Sequence, residues 1–91
     1  MTKEEKELAV IVRKLIDTIA AQSTPESKFI VAKKKLGFRY NGVLDKAIAG
    51  QVAPVMAKHA RFTDVDPQKV KESMVSEIAA NALDDVIAAA K

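Results

Sequence analysis

The residues of this 91-residue chain that could do chemistry are mainly cations, and they lie close together in its middle. Residues 28–61 contain eight basic side chains against one acid, a net charge of +7, whereas residues 1–27 carry −1 and residues 62–91 carry −3. Because crowded like charges repel, such an excess is typical of a solvated face or of a surface that binds an anion such as nucleic acid. The residues we expect to contact nucleic acid are Lys28, Lys34, Lys35, Arg39, Tyr40, Asn41 and Lys46.

Residues 25–50 fit a helix-turn-helix, in which two short helices flank a tight turn that usually contains glycine. Gly37 would supply that turn. The sequence departs from the motif at two positions: Lys33 stands where a small residue is usual, and Lys46 stands where an apolar residue is expected. The glycine is also not specific to this motif, because any helical hairpin would need it. If the motif is present, Asn41 faces a base edge of duplex DNA, while the basic residues around the turn hold phosphates.

Residues 33–42 also admit a single-strand interpretation, in which an aromatic ring stacks on a base and the cations follow the backbone. The candidates are Phe38 and Tyr40. A residue just after a glycine C-cap often packs back on its own helix, so we assign Phe38 to the core together with Phe29 and Phe62. Tyr40 can either pack or contact a ligand, because a tyrosine can bury its ring and leave its hydroxyl in water.

Catalysis finds little support in the sequence. There is no cysteine and only one histidine, His59, so no Cys/His cluster for a transition metal can form. Asp64 and Asp66 have the spacing that begins a calcium loop, but Pro67 follows and the later glycine and glutamate are missing. We therefore expect a non-enzymatic protein without a metal or cofactor.

Helical periodicity runs along the chain and strand alternation does not, which predicts an all-α fold. With 91 residues there is room for a single helical domain over 1–91, a small bundle of four to five helices with a long C-terminal helix. Thr2 is the expected cap of the first helix, since Glu5 stands three residues later as a capping box requires. This helix should end at about Gln22.

The middle of the chain predicts two or three further helices. Thr24 is the expected cap of the second, with Pro25 at its first position and Leu36 near its end. Asn41 is the expected cap of the next helix. A glycine and a proline within residues 41–61 leave open whether one kinked helix or two helices follow.

The last helix has the clearest signal, with Asp66 as its cap and Pro67 at its first position. About 24 residues would make a rod of roughly 36 Å, longer than the ~25–30 Å expected for a domain of this size. We therefore expect part of the helix to meet a partner, as in a homodimer. A helix that wraps around its own monomer is the alternative.

Composition limits the remaining classes. Hydrophobic residues at 48% and charged residues at 30% are typical of a folded, soluble protein, and the charged start and lack of cysteine favour the cytoplasm over a membrane or an oxidising compartment. The leading hypothesis is a small nucleic-acid-binding protein, most consistent with a DNA-binding regulator of transcriptional or phage type. The alternative is a protein-protein interaction module, an inhibitor or assembly factor, that binds through amphipathic helices.

Overall fold

The computed structural model describes residues 2–61 and 64–91, and all regular structure in these two ranges is helical. The elements are α1 (Lys3–Gln22), α2 (Lys28–Leu36), a short 3₁₀ turn (Gly37–Arg39), α3 (Tyr40–His59) and α4 (Pro67–Ala89). The predicted all-α class is confirmed. Phe62, which we assigned to the core, lies outside the described residues.

The ends of α1 and α4 follow the sequence signals. The backbone N–H of Glu5 donates to Thr2 Oγ1 at 3.2 Å, and the N–H of Thr2 donates to Glu5 Oε1 at 3.0 Å, which completes the capping box. The N–H of Thr2 stabilises the ionised carboxylate and is the main reason why the pKa of Glu5 lies below its ordinary value. Asp66 accepts from the N–H of Gln68 at 3.0 Å, with Pro67 at the first helical position. Both predicted caps are confirmed.

The predicted starts of the two middle helices are wrong. Pro25 lies in a turn, closed by the Ser27 N–H donating to the Thr24 carbonyl at 3.1 Å, and α2 begins only at Lys28. Proline suits the second position of such a turn because its φ is already fixed there. Asn41 is not a cap, because the 3₁₀ turn continues directly into α3 with helical backbone angles and leaves no extended residue between them.

Residues 41–59 belong to one helix and not to two, because α3 is a single helix of 20 residues. Pro54 lies inside it. The helix keeps one face inward throughout, since its buried side chains recur every three or four residues. These side chains are Tyr40, Leu44, Ile48, Val52 and Val55.

Gly37 ends α2, as its position predicts. Its N–H donates to the carbonyl of Lys33, and its backbone adopts φ 56° and ψ −126°. Residues with a Cβ avoid this left-handed conformation, whereas glycine adopts it readily. Gly37 therefore sets the direction in which the chain leaves α2.

We expect Gly37→Ala to destabilise the protein by about 1–3 kcal/mol, because alanine would be strained at this backbone conformation. The matched control is Gly42→Ala, where the added Cβ also meets nothing within 4 Å but the backbone is helical. That change should stabilise the protein by about 0.5–1 kcal/mol. Urea unfolding followed by circular dichroism measures both, and equal effects of the two substitutions would contradict the assigned role of Gly37.

The core lies along α4, which contacts each of the other three α-helices. Its buried residues are Val75, Ile78, Ala79, Ala82 and Val86. The molecule measures 42 × 24 × 19 Å, so it is longer than the size estimate from the sequence and a helix of about 35 Å fits within it. The length argument for a partner therefore no longer applies, and the homodimer stays a prediction. None of the helices described combines the length and apolarity needed to cross a membrane.

A charged contact joins the end of α3 to the middle of α4. Lys58 Nζ lies 2.8 Å from Glu77 Oε1, and His59 Nε2 lies 3.7 Å from Glu77 Oε2. The hydrogen bond from Lys58 is the main reason why the pKa of Glu77 lies below its ordinary value of 4.5.

This lowered pKa predicts a pH-dependent contribution to stability. A carboxylate with a lower pKa in the folded state stabilises the fold above its ordinary pKa, and the contribution disappears as the pH falls through the folded-state value. We expect the difference in free energy of unfolding between the native protein and Glu77→Gln to be larger at about pH 7 than at about pH 3. Urea titrations at the two pH values test this. A difference that does not change with pH would contradict the expectation.

Candidate nucleic-acid interface

The basic side chains of α2 are spread over three sides of the helix. Phe29, Ala32 and Leu36 turn one face to the core. At 100° per residue Lys34 lies opposite that face, with Lys33 and Lys35 on either flank. All three lysines are exposed.

One flank of α2 opens into a groove, here called the basic groove, between α1, α2 and the turn at Gly37. Its volume is about 560 Å³. The lining residues are Arg13, Asp17, Ile30, Lys33, Lys34, Gly37, Tyr40 and Asn41. Two of these residues, Lys33 and Lys34, are cations without an ion pair among the described residues, so the basic groove favours an anionic ligand.

Arg13 organises the wall of the basic groove by joining α1 to the start of α3. Its guanidinium pairs with the carboxylate of Asp45, donates to Asn41 Oδ1 at 2.8 Å and lies 3.4 Å from Asp17 Oδ1. The Asn41 oxygen that we expected at a base edge is therefore bonded within the protein. Sequence reasoning missed Arg13 because its partners on α3 are 28 and 32 residues away.

The prediction that Tyr40 contacts nucleic acid is wrong, because its side chain is only 5% exposed. The ring packs edge-to-face on Phe29 with 5.9 Å between centroids, and Lys33 Nζ lies 5.0 Å from the Tyr40 ring centroid. The hydroxyl is buried and has no hydrogen-bond partner among the described residues, and burial raises its pKa above the ordinary value. Tyr40 is a core residue that supports a lysine by a cation–π contact.

The prediction that Phe38 lies in the core is also wrong. Its side chain is 96% exposed. The left-handed backbone at Gly37 leads into the 3₁₀ turn instead of back over α2, and it is the Tyr40 ring that packs on Phe29 of that helix. An almost fully exposed phenylalanine thus stands beside Arg39, which is exposed as well.

The other predicted contact residues lie on different surfaces. Lys28 and Lys35 are on the far flank of α2, where they line a second groove of about 300 Å³ beside the end of α4. Lys46 is exposed on α3, facing away from the buried Leu44 and Ile48. The structure therefore brings Lys34 and Asn41 together at the basic groove and places Lys28, Lys35 and Lys46 elsewhere, with Arg39 on the turn.

None of these exposed cations forms an ion pair with another residue that the structure describes. The ion pairs in the described ranges involve only Arg13, Lys58 and His59 as the basic partners. The lysines of α2, Arg39 and Lys46 have no carboxylate within 4.0 Å in the same ranges. Their charge is consequently available to an external anion.

The described residues offer no metal site, since no group of three or more His, Asp or Glu side chains could hold an ion there. Comparison of the chain with protein-family models, curated proteins and solved structures found no match. The charge and shape of the molecular surface are therefore the guides to function.

Proposed function

We propose that this protein binds nucleic acid through its basic hairpin, defined as α2, the turn Gly37–Arg39 and the start of α3. The observation that supports this most is the group of exposed cations without carboxylate partners on these elements. Lys33 and Lys34 line the basic groove, and the other cations of the basic hairpin lie on the adjoining surfaces. The activity we propose is binding without catalysis, as suits a small regulator of transcriptional or phage type.

Phosphate binding follows from this charge by counterion release. Each phosphate neutralised by a lysine or arginine frees condensed counterions, so the affinity falls steeply with salt. A nonspecific binder of this type has a dissociation constant of roughly 10⁻⁴ to 10⁻⁶ M at physiological salt. Phosphate contacts fix position and orientation, whereas sequence preference would need further contacts to bases.

Fluorescence anisotropy tests the proposal directly. Labelled single-stranded and duplex oligonucleotides are titrated with the protein at several salt concentrations between about 50 and 200 mM. We expect saturable binding whose log K falls linearly with log salt, with a slope that reports several neutralised phosphates. Absence of binding to both oligonucleotides at the lowest salt would overturn the proposal.

A protein partner is the second candidate, favoured by an apolar groove of about 270 Å³ between α1 and α3. Ala9, Val10, Ile48 and Ala49 line most of it, and the Val10 side chain is 54% exposed. A second copy of this chain is one such partner, through a different surface from the last helix on which the sequence-based homodimer prediction rests. Analytical ultracentrifugation would support it by a molar mass that rises with concentration.

A further inference from the structure

The exposed ring of Phe38 is a feature of the basic hairpin that phosphate binding leaves without a role. A phenylalanine that stays in water forgoes roughly 1.5–3 kcal/mol of burial free energy. The described residues include three other large apolar side chains with marked exposure, and these valines are 41–54% exposed against 96% for Phe38.

The position of the ring is built into the backbone. Gly37 has the left-handed conformation that ends α2, and the following 3₁₀ turn holds Phe38 between that glycine and Arg39. Gly37 and Tyr40, on either side of Phe38 and Arg39 in the chain, both line the basic groove, so Phe38 belongs to the turn that borders this groove. Lys34 and Lys35 occupy the last turn of α2, immediately before this glycine.

We infer that Phe38 is a stacking platform for an unpaired base, and that the ligand of the basic hairpin is a single-stranded nucleic acid. This inference rests on the proposed function and names its substrate class. An aromatic ring flanked by cations is the arrangement by which single strands are bound, since every base has a face that can stack and the cations follow the phosphates.

Duplex readout has less support from the same surfaces. A recognition helix needs side chains at its start that reach base edges, and here Arg13 holds Asn41 and Asp45 against α1. Beyond them, the outward face of α3 carries small residues with one lysine. The exposed residues of that face are Gly42, Lys46, Ala49, Gly50, Ala53 and Ala57.

A membrane surface would also attract cations, but interfacial binding needs a continuous apolar face several residues wide. The ring of Phe38 has a glycine and an arginine as its chain neighbours, and the lysines of α2 precede them. The charge around an isolated ring is complementary to a phosphate backbone with exposed bases.

Replacement of Phe38 by alanine tests the inference. We expect the affinity for a labelled oligothymidylate of about 12 nucleotides to fall about 5- to 100-fold, because stacking on one base is lost. The salt dependence of binding should not change, since no phosphate contact is removed. Affinity for a blunt duplex should stay within about twofold of the native value. Val65→Ala, an exposed apolar residue that precedes α4 and lies outside the basic hairpin, is the matched control and should alter neither affinity.

Phe38→Trp gives a second readout. The chain has no tryptophan, so this residue becomes its only indole. We expect the variant to retain the native affinity and its fluorescence to be quenched when the single strand binds, because stacking brings the indole against a base.

The outcomes separate the two claims. Unchanged single-strand affinity in Phe38→Ala, together with salt-dependent binding by the native protein, overturns the stacking role and leaves the proposed function standing. No binding of either oligonucleotide overturns both. A third outcome is that the native protein binds vesicles of phosphatidylserine and phosphatidylcholine but does not bind the oligothymidylate, and that Phe38→Ala loses the vesicle binding. That result would assign the ring to a membrane surface and overturn the inference.

Discussion

Replacing Lys34 and Lys35 together by glutamate should lower the affinity for single-stranded and duplex oligonucleotides at least about tenfold at low salt. Lys34 borders the basic groove and Lys35 the opposite flank of α2, so the pair reverses the charge on both sides of the helix. Each lost phosphate contact should also reduce the slope of log K against log salt by about one. Anisotropy titrations at several salt concentrations measure both effects.

The matched control is the same charge change at Lys69 and Lys71. These two lysines are exposed in the first two turns of α4. They lie far from α2, which borders the opposite end of that helix at Ile87. We expect this control variant to keep most of the native affinity. If both double variants bind equally weakly, net charge rather than the basic hairpin determines the binding. If Lys34→Glu/Lys35→Glu binds as tightly as the native protein, the proposed interface is wrong.

Truncating Ile78 to alanine should destabilise the fold by about 2–5 kcal/mol. Ile78 is fully buried on α4, the helix that contacts the other three. Loss of its side chain removes buried apolar surface and leaves a cavity that the surrounding helices can fill only in part. Such a loss is large, because the total free energy of unfolding of a native protein is roughly 5–15 kcal/mol.

Urea unfolding of Ile78→Ala measures the effect, with Val10→Ala as the control. Val10 is 54% exposed on α1, so its truncation removes little buried surface and should change the free energy of unfolding by less than about 0.5 kcal/mol. A comparable loss in both variants would show that Val10 is buried in solution, as it would be in a dimer formed through the groove between α1 and α3.

The sequence predicts this fold best where a signal is local. The pairing of Thr2 with Glu5, and the order of Asp66 and Pro67, depend on residues within one helical turn, and both caps form as predicted. The all-α class follows from periodicity in the same way. Pro25 shows the limit of local signals, because its fixed φ suits both a first helical position and a turn, and the connection from α1 to α2 requires the turn.

The candidate site depends on contacts that no local pattern reveals. Phe38 and Tyr40 are two residues apart and both carry an aromatic ring, and only the path of the chain after Gly37 decides which ring packs on Phe29. The pairing of Arg13 with α3 likewise needs two helices to be brought together. The basic charge of the region was evident from the sequence, but its division between two flanks of α2 and the outer face of α3 was not.

Chemical-shift mapping of the ¹⁵N-labelled protein with an unlabelled single-stranded oligonucleotide tests the central claim most directly, because it reports both binding and its location. We predict that the amide signals of residues 28–41 shift most, and that these shift changes become smaller as salt is added. Amides along the groove between α1 and α3, around Ala9 and Ala49, should shift little. A spectrum without changes, or changes concentrated in that apolar groove, would contradict nucleic-acid binding by the basic hairpin.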